Sequence, residues 1–555
     1  MCGICFCLHT QPNAAVPIDY TPLNARGPDF QKQYGPIAFT SDLYITFAVS
    51  VLSIRGFKQE QPFVDEDGNV LIYNGEIYEA PFQIKESDND GVLLFDHFKQ
   101  CSTDMDICQL ISQLEGCFAF IYYQKQTSCL YYGRDRLGRR SLMYAMIDDN
   151  QSNLKMILTS VRLQQFSYTE LDSSILHKLS IKSTDGTFQI DTIPYVKPTI
   201  NIICSEPPDT LLTELENDSI FQNISTTFFN QLHAAVRRRL ANLPTLCRRC
   251  KRLTDGTLRP ENGCPHAKLA ILFSGGIDSS VLTALADRIL PSNEPIDLLN
   301  VSFFSDVRAP PPADRQTGNS EVLVWENDVH LVVLGLQALT ELNTARQWNF
   351  VQIDVDVNEL RHYRENVIKT VIYPCSTVLD DSIGSALWFA ARGSGKLHPV
   401  NTIYESPAEV LLSGLGADEQ LAGYSRHRST FQAHGWKGLE NELEMEINRI
   451  SKRNLGRDDR VISSLGKEVR FPFLDEQLVN YLRSVPIWYK ADLRLGRGTG
   501  EKYLLRYIAC HNLSLFQSSK YPKRAIQFGS RIAKLENRKE KASDQCSRLT
   551  IDDED

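Results

Sequence analysis

The 555-residue chain has no apolar run approaching the roughly 20 residues that a membrane-spanning helix needs. Its start, Met1-Cys2-Gly3-Ile4-Cys5-Phe6-Cys7, lacks the basic segment of a secretory signal peptide. Positive charge is not in excess. The formal net charge is −9, which argues against a general binder of nucleic acid or of anionic membrane. Fourteen cysteines are scattered without a dense framework, so reduced thiols and a cytoplasmic setting are expected. A Walker A loop is absent too, because no Gly-Lys-Ser/Thr stands at the required spacing. What is present, 42% hydrophobic and 23% charged residues, is the composition of a globular protein with room for several cores.

The most informative stretch is Ser274-Gly275-Gly276-Ile277-Asp278-Ser279-Ser280. It follows the apolar run Leu269–Phe273 and leads into Val281–Arg288, a pattern of buried strand, tight turn and helix. Two glycines permit close backbone approach, and hydroxyls and N–H groups at a helix start suit an anion. Asp278 among such groups calls for a cation as well, so the simplest ligand is a Mg-nucleotide or Mg-pyrophosphate. The alternative is an ordinary strand-to-helix turn capped by Ser274. A second signal is Cys2. Removal of Met1 would place a thiol and a free α-amine in one residue, and the amine can take the thiol proton. Otherwise Cys2 is a small buried apolar residue.

Cys2-Gly3-Ile4 is followed by Arg26-Gly27-Pro28-Asp29, Asn74-Gly75-Glu76-Ile77-Tyr78 and Gly133-Arg134-Asp135-Arg136-Leu137-Gly138. In this order the segments resemble the class II glutamine amidotransferase domain of glutamine-hydrolysing asparagine synthetases. The resemblance continues through Ser274–Ser280, Ser413-Gly414-Leu415-Gly416-Ala417-Asp418-Glu419, Arg470-Phe471-Pro472-Phe473-Leu474-Asp475 and Gly500-Glu501-Lys502-Tyr503-Leu504-Leu505-Arg506. Leu415, Gly529-Ser530 and the insertions look closest to a divergent branch, the asparagine synthetase domain-containing proteins. The resemblance implies an α+β amidotransferase domain over 2–205, an antiparallel αββα sandwich of the N-terminal-nucleophile type. It also implies an α/β ATP-pyrophosphatase domain (adenine nucleotide α-hydrolase-like) over 225–535, built on a parallel sheet. A disordered tail is expected over 536–555.

Each segment has a chemical task. Cys2 would attack the glutamine side-chain amide, while the Asn74 side-chain amide and the Gly75 N–H stabilise the oxyanion. A hairpin turn is the competing use of Asn74-Gly75. Glu76 and Asp90 would accept the substrate ammonium. The family Arg that binds the α-carboxylate is replaced by Val51; Arg55 is a candidate substitute, on the same strand face by period two but about 13 Å further along. ATP would be held by Ser274, Gly275, Gly276, Asp278, Ser279, Ser280, Ser413, Gly414 and Lys502, with Mg²⁺ on Asp278 and Asp418. Lys523-Arg524 lies near another phosphate-binding position of the family. A second departure is Leu415, where the family carries a Glu that handles protons when ammonia attacks the adenylate.

Other stretches carry less chemistry. Cys117–Tyr123 and Cys129–Tyr132 read as a strand pair, and Ile296–Phe304 and Trp348–Val355 as parallel strands. Ile383–Arg392 and 438–450 read as helices, and Asp306–Ser320 as a loop. In the helix over 226–240, Arg237-Arg238-Arg239 is expected to face water. Cys247, Cys250, Cys264 and His266 are compatible with one tetrahedral zinc site, or with a basic loop carrying free thiols.

The expected activity is ATP-dependent, glutamine-hydrolysing asparagine synthesis, a C–N ligation. Ammonia released at Cys2 would reach an aspartyl-AMP formed beside Ser274–Ser280. Its partners are small molecules (glutamine, aspartate, ATP). A nucleotide-binding scaffold, or the same chemistry on another carboxylate, are the alternatives raised by Val51 and Leu415.

Overall fold

A computed structural model gives the fold. It describes residues 2–11, 18–55, 59–85, 87–147, 153–164, 166–181, 188–203, 206–254, 264–304, 332–521, 526, 530, 532, 535, 536 and 539–551. The expectations for Asp306–Ser320, Lys523-Arg524 and Gly529 lie outside the described residues.

Apolar residues alternating with a period of two make the first 200 residues strand-rich. The strands are β1 (Cys2–His9), β2 (Phe30–Ala38), β3 (Tyr44–Val51), β4 (Phe63–Val64), β5 (Val70–Glu79) and β6 (Glu115–Gln124). They continue with β7 (Cys129–Arg134), β8 (Met143–Met146), β9 (Leu154–Thr159), β10 (Thr169–Glu170), β11 (Ile175–Ile181) and β12 (Phe188–Pro194). Two six-stranded sheets result, in the orders β10-β8-β9-β1-β3-β2 and β12-β11-β7-β6-β5-β4. Every pairing within them is antiparallel.

Ile4, Phe6 and Leu8 of β1 point into the space between the sheets, against Phe47, Val49, Ile72 and Ile121. Each such side chain contributes roughly 1.5–3 kcal/mol of burial. The intervening Cys5 and Cys7 face the other way. They share a core with Leu23 of helix α1 (Thr21–Arg26) and with Trp388 and Val461 from the second half of the chain. Helices α2 (Asp90–Gln100) and α3 (Asp104–Gln113) cover the outer face of the other sheet through Leu94, Phe98, Ile107 and Ile111. The arrangement is the expected αββα sandwich, with the second half supplying much of one outer layer.

The second half begins with helix α4 (Ser219–Leu240) and the short α5 (Arg248–Thr254). Its sheet comprises β13 (Leu269–Leu272), β14 (Ile296–Phe304), β15 (Trp348–Asp356), β16 (Ser394–Leu397), β17 (Thr402–Glu405), β18 (Val410–Leu412) and β19 (Glu468–Arg470). The order is β17-β16-β15-β14-β13-β18-β19. From β15 to β19 all pairs are parallel, while β16 and β17 add an antiparallel hairpin at one edge. Alternation again assigns the faces. Leu269 and Ile271 meet α4 and helix α6 (Ile277–Ile289), and Ala270 lies toward the helix Val378–Arg392.

Two expectations need correction. Arg239 does not face water: it is fully buried and ion-paired with Asp475, and Arg238 reaches the same carboxylate at 2.7 Å. Two guanidiniums there need a shared acid, because an unpaired buried charge is prohibitively costly. The tail is not disordered over its described part. Residues 539–551 dock on the start of Val378–Arg392, where Asp544 and Ala542 carbonyls accept the Val378 and Leu379 N–H groups, and Cys546 and Leu549 are buried. Arg548 anchors this segment to Asp381 at 3.2 Å and pairs within it with Glu540 at 2.8 Å.

The two halves meet along a buried ionic seam. Arg26 pairs with Asp459 at 2.8 Å, Arg140 reaches Asp459 at 3.5 Å, and Arg139 pairs with Glu476 and donates to the Leu474 carbonyl at 2.7 Å. Through Arg26, which donates to the Cys2 carbonyl, and Arg140, which donates to the Val469 carbonyl, this seam ties the start of β1 and β19 to Asp459.

Candidate active site

The first cleft opens where β1, β5 and α2 converge, and its walls include Cys2, Arg55, Gly75, Glu76, Asp90 and Glu468. Asn74-Gly75 lies in the middle of β5, so the hairpin-turn alternative does not apply. Asn74 is completely buried. Its Oδ1 accepts the Cys2 backbone N–H at 2.8 Å, which fixes the amide orientation. Asn74 Nδ2 then has no partner among the described residues, a buried donor whose neglect costs about 1–3 kcal/mol. The N–H of Tyr73 bonds to Gln61 Oε1 at 2.8 Å and that of Ile77 to Asp90 Oδ2 at 2.8 Å. By the period of two, the Gly75 N–H lies between them on the same strand edge. A Cβ on Gly75 would overlap Cys117 O and Phe118, so only glycine lets β5 approach β6 there.

Cys2 is 6% exposed, and burial pushes its thiol above the usual range. Gln61 Nε2 lies 3.6 Å from its Sγ and is steadied by the Tyr73 carbonyl at 3.0 Å. Glu76 and Asp90 sit together beyond the thiol. Burial raises both carboxyls, and for Glu76 the neighbouring Asp90 adds to this, bringing it to about 8. Arg55 is the cation beside the pair, and its charge does not offset the burial of both acids.

Arg55 is where the strand reading fails and the site gains. β3 ends at Val51, so residues 52–55 do not run on as a strand, and Arg55 turns back into the cleft. Its Nη1 reaches Glu76 Oε1 at 3.0 Å and the Ile77 carbonyl at 2.9 Å, and its Nε is buried without a partner among the described residues.

The second cluster surrounds Ser274–Ser280. Gly275 has φ 70°, a conformation that needs glycine, and Gly276 precedes α6. Ser274 Oγ accepts the Gly276 N–H at 3.3 Å and lies 3.4 Å from Ser279 Oγ. Ser280 is fully buried with its hydroxyl on the Gly275 carbonyl, so it shapes the turn instead of facing a ligand. Asp278 and Asp418 converge on Lys502 Nζ, at 2.6 and 2.7 Å. Lys502 is fully buried in a left-handed backbone conformation (φ 55°), strain of about 1–3 kcal/mol that clusters at functional positions. A Cβ on Gly423 would overlap Asp418 Oδ1 and Lys502 Cε, and one on Gly414 would come to 3.0 Å from Asp278. Two carboxylates beside a hydroxyl-rich turn form a donor set that suits Mg²⁺ shared with phosphate oxygens. Leu415, in the same turn, packs against the core and offers no proton acceptor.

These two clusters fall within two matched family regions. The glutamine amidotransferase domain family matches residues 1–198, and the asparagine synthase family matches residues 266–438 and 431–514. The asparagine synthetase domain-containing protein 1 of Homo sapiens is 38% identical, covering 99% of this chain and 98% of its own length. The chain belongs to the asparagine synthetase domain-containing family. Its likeness extends to the family members of Drosophila melanogaster, 31% identical over 95% of each chain, and of Saccharomyces cerevisiae, 31% identical over 92% of this chain and 87% of that one. Among solved structures, a glutamine phosphoribosylpyrophosphate amidotransferase of B. subtilis is 13% identical with a TM-score of 0.27, over 64% of this chain and 81% of that one. That likeness is too slight to carry an argument. No helix among the described residues is long and apolar enough to cross a membrane.

Sequence reasoning missed three residues of this family member's first cleft. Asn242 donates to Glu76 Oε1 at 2.9 Å, and Gln61 cradles the thiol. Glu468, on β19 of the second half, lines the cleft as well. Burial alone would raise Glu468, but the Arg470 and Arg140 guanidiniums outweigh it and hold the carboxyl at about 2. Its signal was present in the sequence. Glu468 and Arg470 stand two apart on one strand, an acid and a base on one face just before Phe471-Pro472.

Proposed function

We propose that the protein hydrolyses glutamine at Cys2 and transfers the ammonia to a carboxylate activated by ATP, with asparagine as the product. The observation that carries the reading is the buried Asn74 amide, whose Oδ1 is committed to the Cys2 N–H and whose Nδ2 has no partner among the described residues. That is a preorganised oxyanion donor beside a thiol.

With Met1 removed, the Cys2 α-amine would take the proton of the thiol that burial keeps neutral, and attack on the glutamine amide would follow. Asn74 Nδ2 and the Gly75 N–H would hold the oxyanion. Glu76 and Asp90 would take the substrate ammonium, whose charge would add to that of Arg55 beside the two acids, and Arg55 Nε would take its α-carboxylate. At the second site, Ser274, Gly275, Gly276, Ser279, Ser413 and Gly414 would cradle the phosphates. Asp278 and Asp418 would hold Mg²⁺, which offsets phosphate charge when bound, and Lys502 would exchange its carboxylate partners for phosphate oxygens. The amidotransferase portion would run over 2–205 and the ATP-dependent portion over 225–535, in a cytoplasmic protein with reduced thiols.

The test supplies purified protein with ATP, Mg²⁺, aspartate and either glutamine or ammonia, and follows AMP, pyrophosphate and asparagine. Turnover from both nitrogen sources is expected, with Cys2→Ala abolishing only the glutamine-dependent part. No turnover from either source removes the reading. In that case Leu415 favours a nucleotide-binding protein or a different carboxylate acceptor, which amide products from other acids would reveal.

A further inference from the structure

The insertion between α4 and β13 brings four soft ligands to one point. Cys247 precedes α5 and Cys250 lies in its first turn; Cys264 and His266 come from the irregular segment that leads into β13. The three Sγ atoms and one imidazole nitrogen all lie within 4.8 Å of one another. Cys264 Sγ is 3.7 Å from Cys250 Sγ, and Cys250 Sγ is 3.4 Å from His266 Nδ1. With Zn–S near 2.3 Å and Zn–N near 2.05 Å, the edges of a regular tetrahedron are about 3.8 Å for S–S and about 3.6 Å for S–N. These two edges match a Cys₃His tetrahedron, and the other four are no longer than 4.8 Å. None of the three cysteines is in a disulfide.

The surroundings suit thiolates. The Cys247 N–H points to Cys264 Sγ at 3.4 Å, and the Cys250 N–H to Cys247 Sγ at 3.5 Å. A zinc ion with three thiolates carries a net charge of −1, and Arg248, Arg249, Lys251 and Arg252 of α5 supply positive charge around it. Apart from one another, the three cysteines have few apolar neighbours; with Leu246 they form a small cluster separate from the main cores. Such a module lacks enough apolar burial to order itself.

We propose that Cys247, Cys250, Cys264 and His266 bind one structural zinc ion. Four protein ligands close the coordination shell, so the site has no open position for chemistry. The ion would clip the two arms of the insertion and so fix α5. That helix contacts both halves: Lys251 Nζ donates to the Ser53 carbonyl, beside Arg55 in the first cleft, at 2.8 Å and pairs with Glu409, while Arg248 donates to the Leu465 carbonyl at 2.7 Å. The clip thereby braces the wall of the first cleft from the second half. This inference stands whether or not the proposed reaction occurs.

The experiment measures metal in full-length protein by elemental analysis. About one zinc per chain is expected, together with tetrahedral thiolate–cobalt absorption after exchange for Co²⁺. Cys250→Ser and Cys264→Ser should each lose the metal, whereas His266→Cys, a Cys₄ set, should keep it. Chelation should lower the thermal midpoint and expose three additional thiols to a titrating reagent. Protein that holds no stoichiometric zinc and gives no tetrahedral cobalt spectrum would overturn the proposal. So would metal that persists in both serine variants. If the serine variants fail to fold, the cobalt spectrum of the wild-type chain still decides.

Discussion

Glu76 offers a test in which stability and function move in opposite directions. Its carboxyl rises from 4.5 to about 8 through burial and the nearby Asp90. The folded chain therefore keeps a proton that the unfolded chain loses above pH 4.5, and stability must fall as pH rises from 4.5 through about 8. At about 1.4 kcal/mol per pH unit, the pH interval from 4.5 to neutrality sets an upper bound of roughly 3 kcal/mol. Asp90 shares the proton, so about 1–3 kcal/mol is the expected penalty at pH 7. Glu76→Gln keeps the oxygen that accepts from Arg55 and Asn242, at 3.0 and 2.9 Å, and removes the titration. The variant should be more stable than the parent, by a margin that is small near pH 5 and widens up to pH 8. Urea unfolding at a series of pH values measures this, with calorimetric titration of glutamine expected to show weakened binding. A margin that does not grow with pH, or a variant less stable at pH 8, refutes the reasoning.

The remaining predictions follow from single contacts. Arg55→Leu should raise the KM for glutamine by about 30-fold or more through loss of a carboxylate partner, with ammonia-dependent turnover unchanged. Gly423→Ala should weaken Mg-ATP binding at least tenfold by pushing Asp418 from Lys502, with the far-ultraviolet dichroism preserved. Asp475→Asn should destabilise the fold by about 3–5 kcal/mol, because Asp475 balances Arg238 and Arg239 and also caps the helix Glu476–Ser484. Leu415→Glu should bring the ratio of asparagine formed to glutamine consumed closer to one; an unchanged ratio removes residue 415 as the missing proton acceptor.

Much of this was legible because backbone patterns are local. The period of two in β1, β5 and β6, and the strand-turn-helix at Ser274, fix faces and turns without knowledge of distant residues. Long-range charge pairing is not local. Arg237-Arg238-Arg239 looks like a solvated run until Asp475, more than 230 residues away, appears beneath it. The tail reads as charged and disordered, yet its Arg548 meets Asp381. The spacing of about 13 Å between Val51 and Arg55 holds only for a continuous strand, and β3 ends at Val51. Glu468 escaped notice since its partner cleft belongs to the other half of the chain.

The two departures from the family pattern are not equivalent. For the arginine lost at Val51 the structure offers a candidate replacement: Arg55 lines the same cleft, next to Glu76 and Asp90. Loss of the glutamate at Leu415 has no comparable remedy in its own turn. Glu419 accepts the Gly416 N–H at 3.0 Å with one oxygen and the Tyr424 hydroxyl with the other. Asp418 is committed with Asp278 to Lys502. A residue that accepts a proton from attacking ammonia would have to exchange one of these partners, leaving a buried donor or ammonium unpaired. Under the proposed function, the proton released as ammonia forms the C–N bond would otherwise pass to water or to the departing AMP.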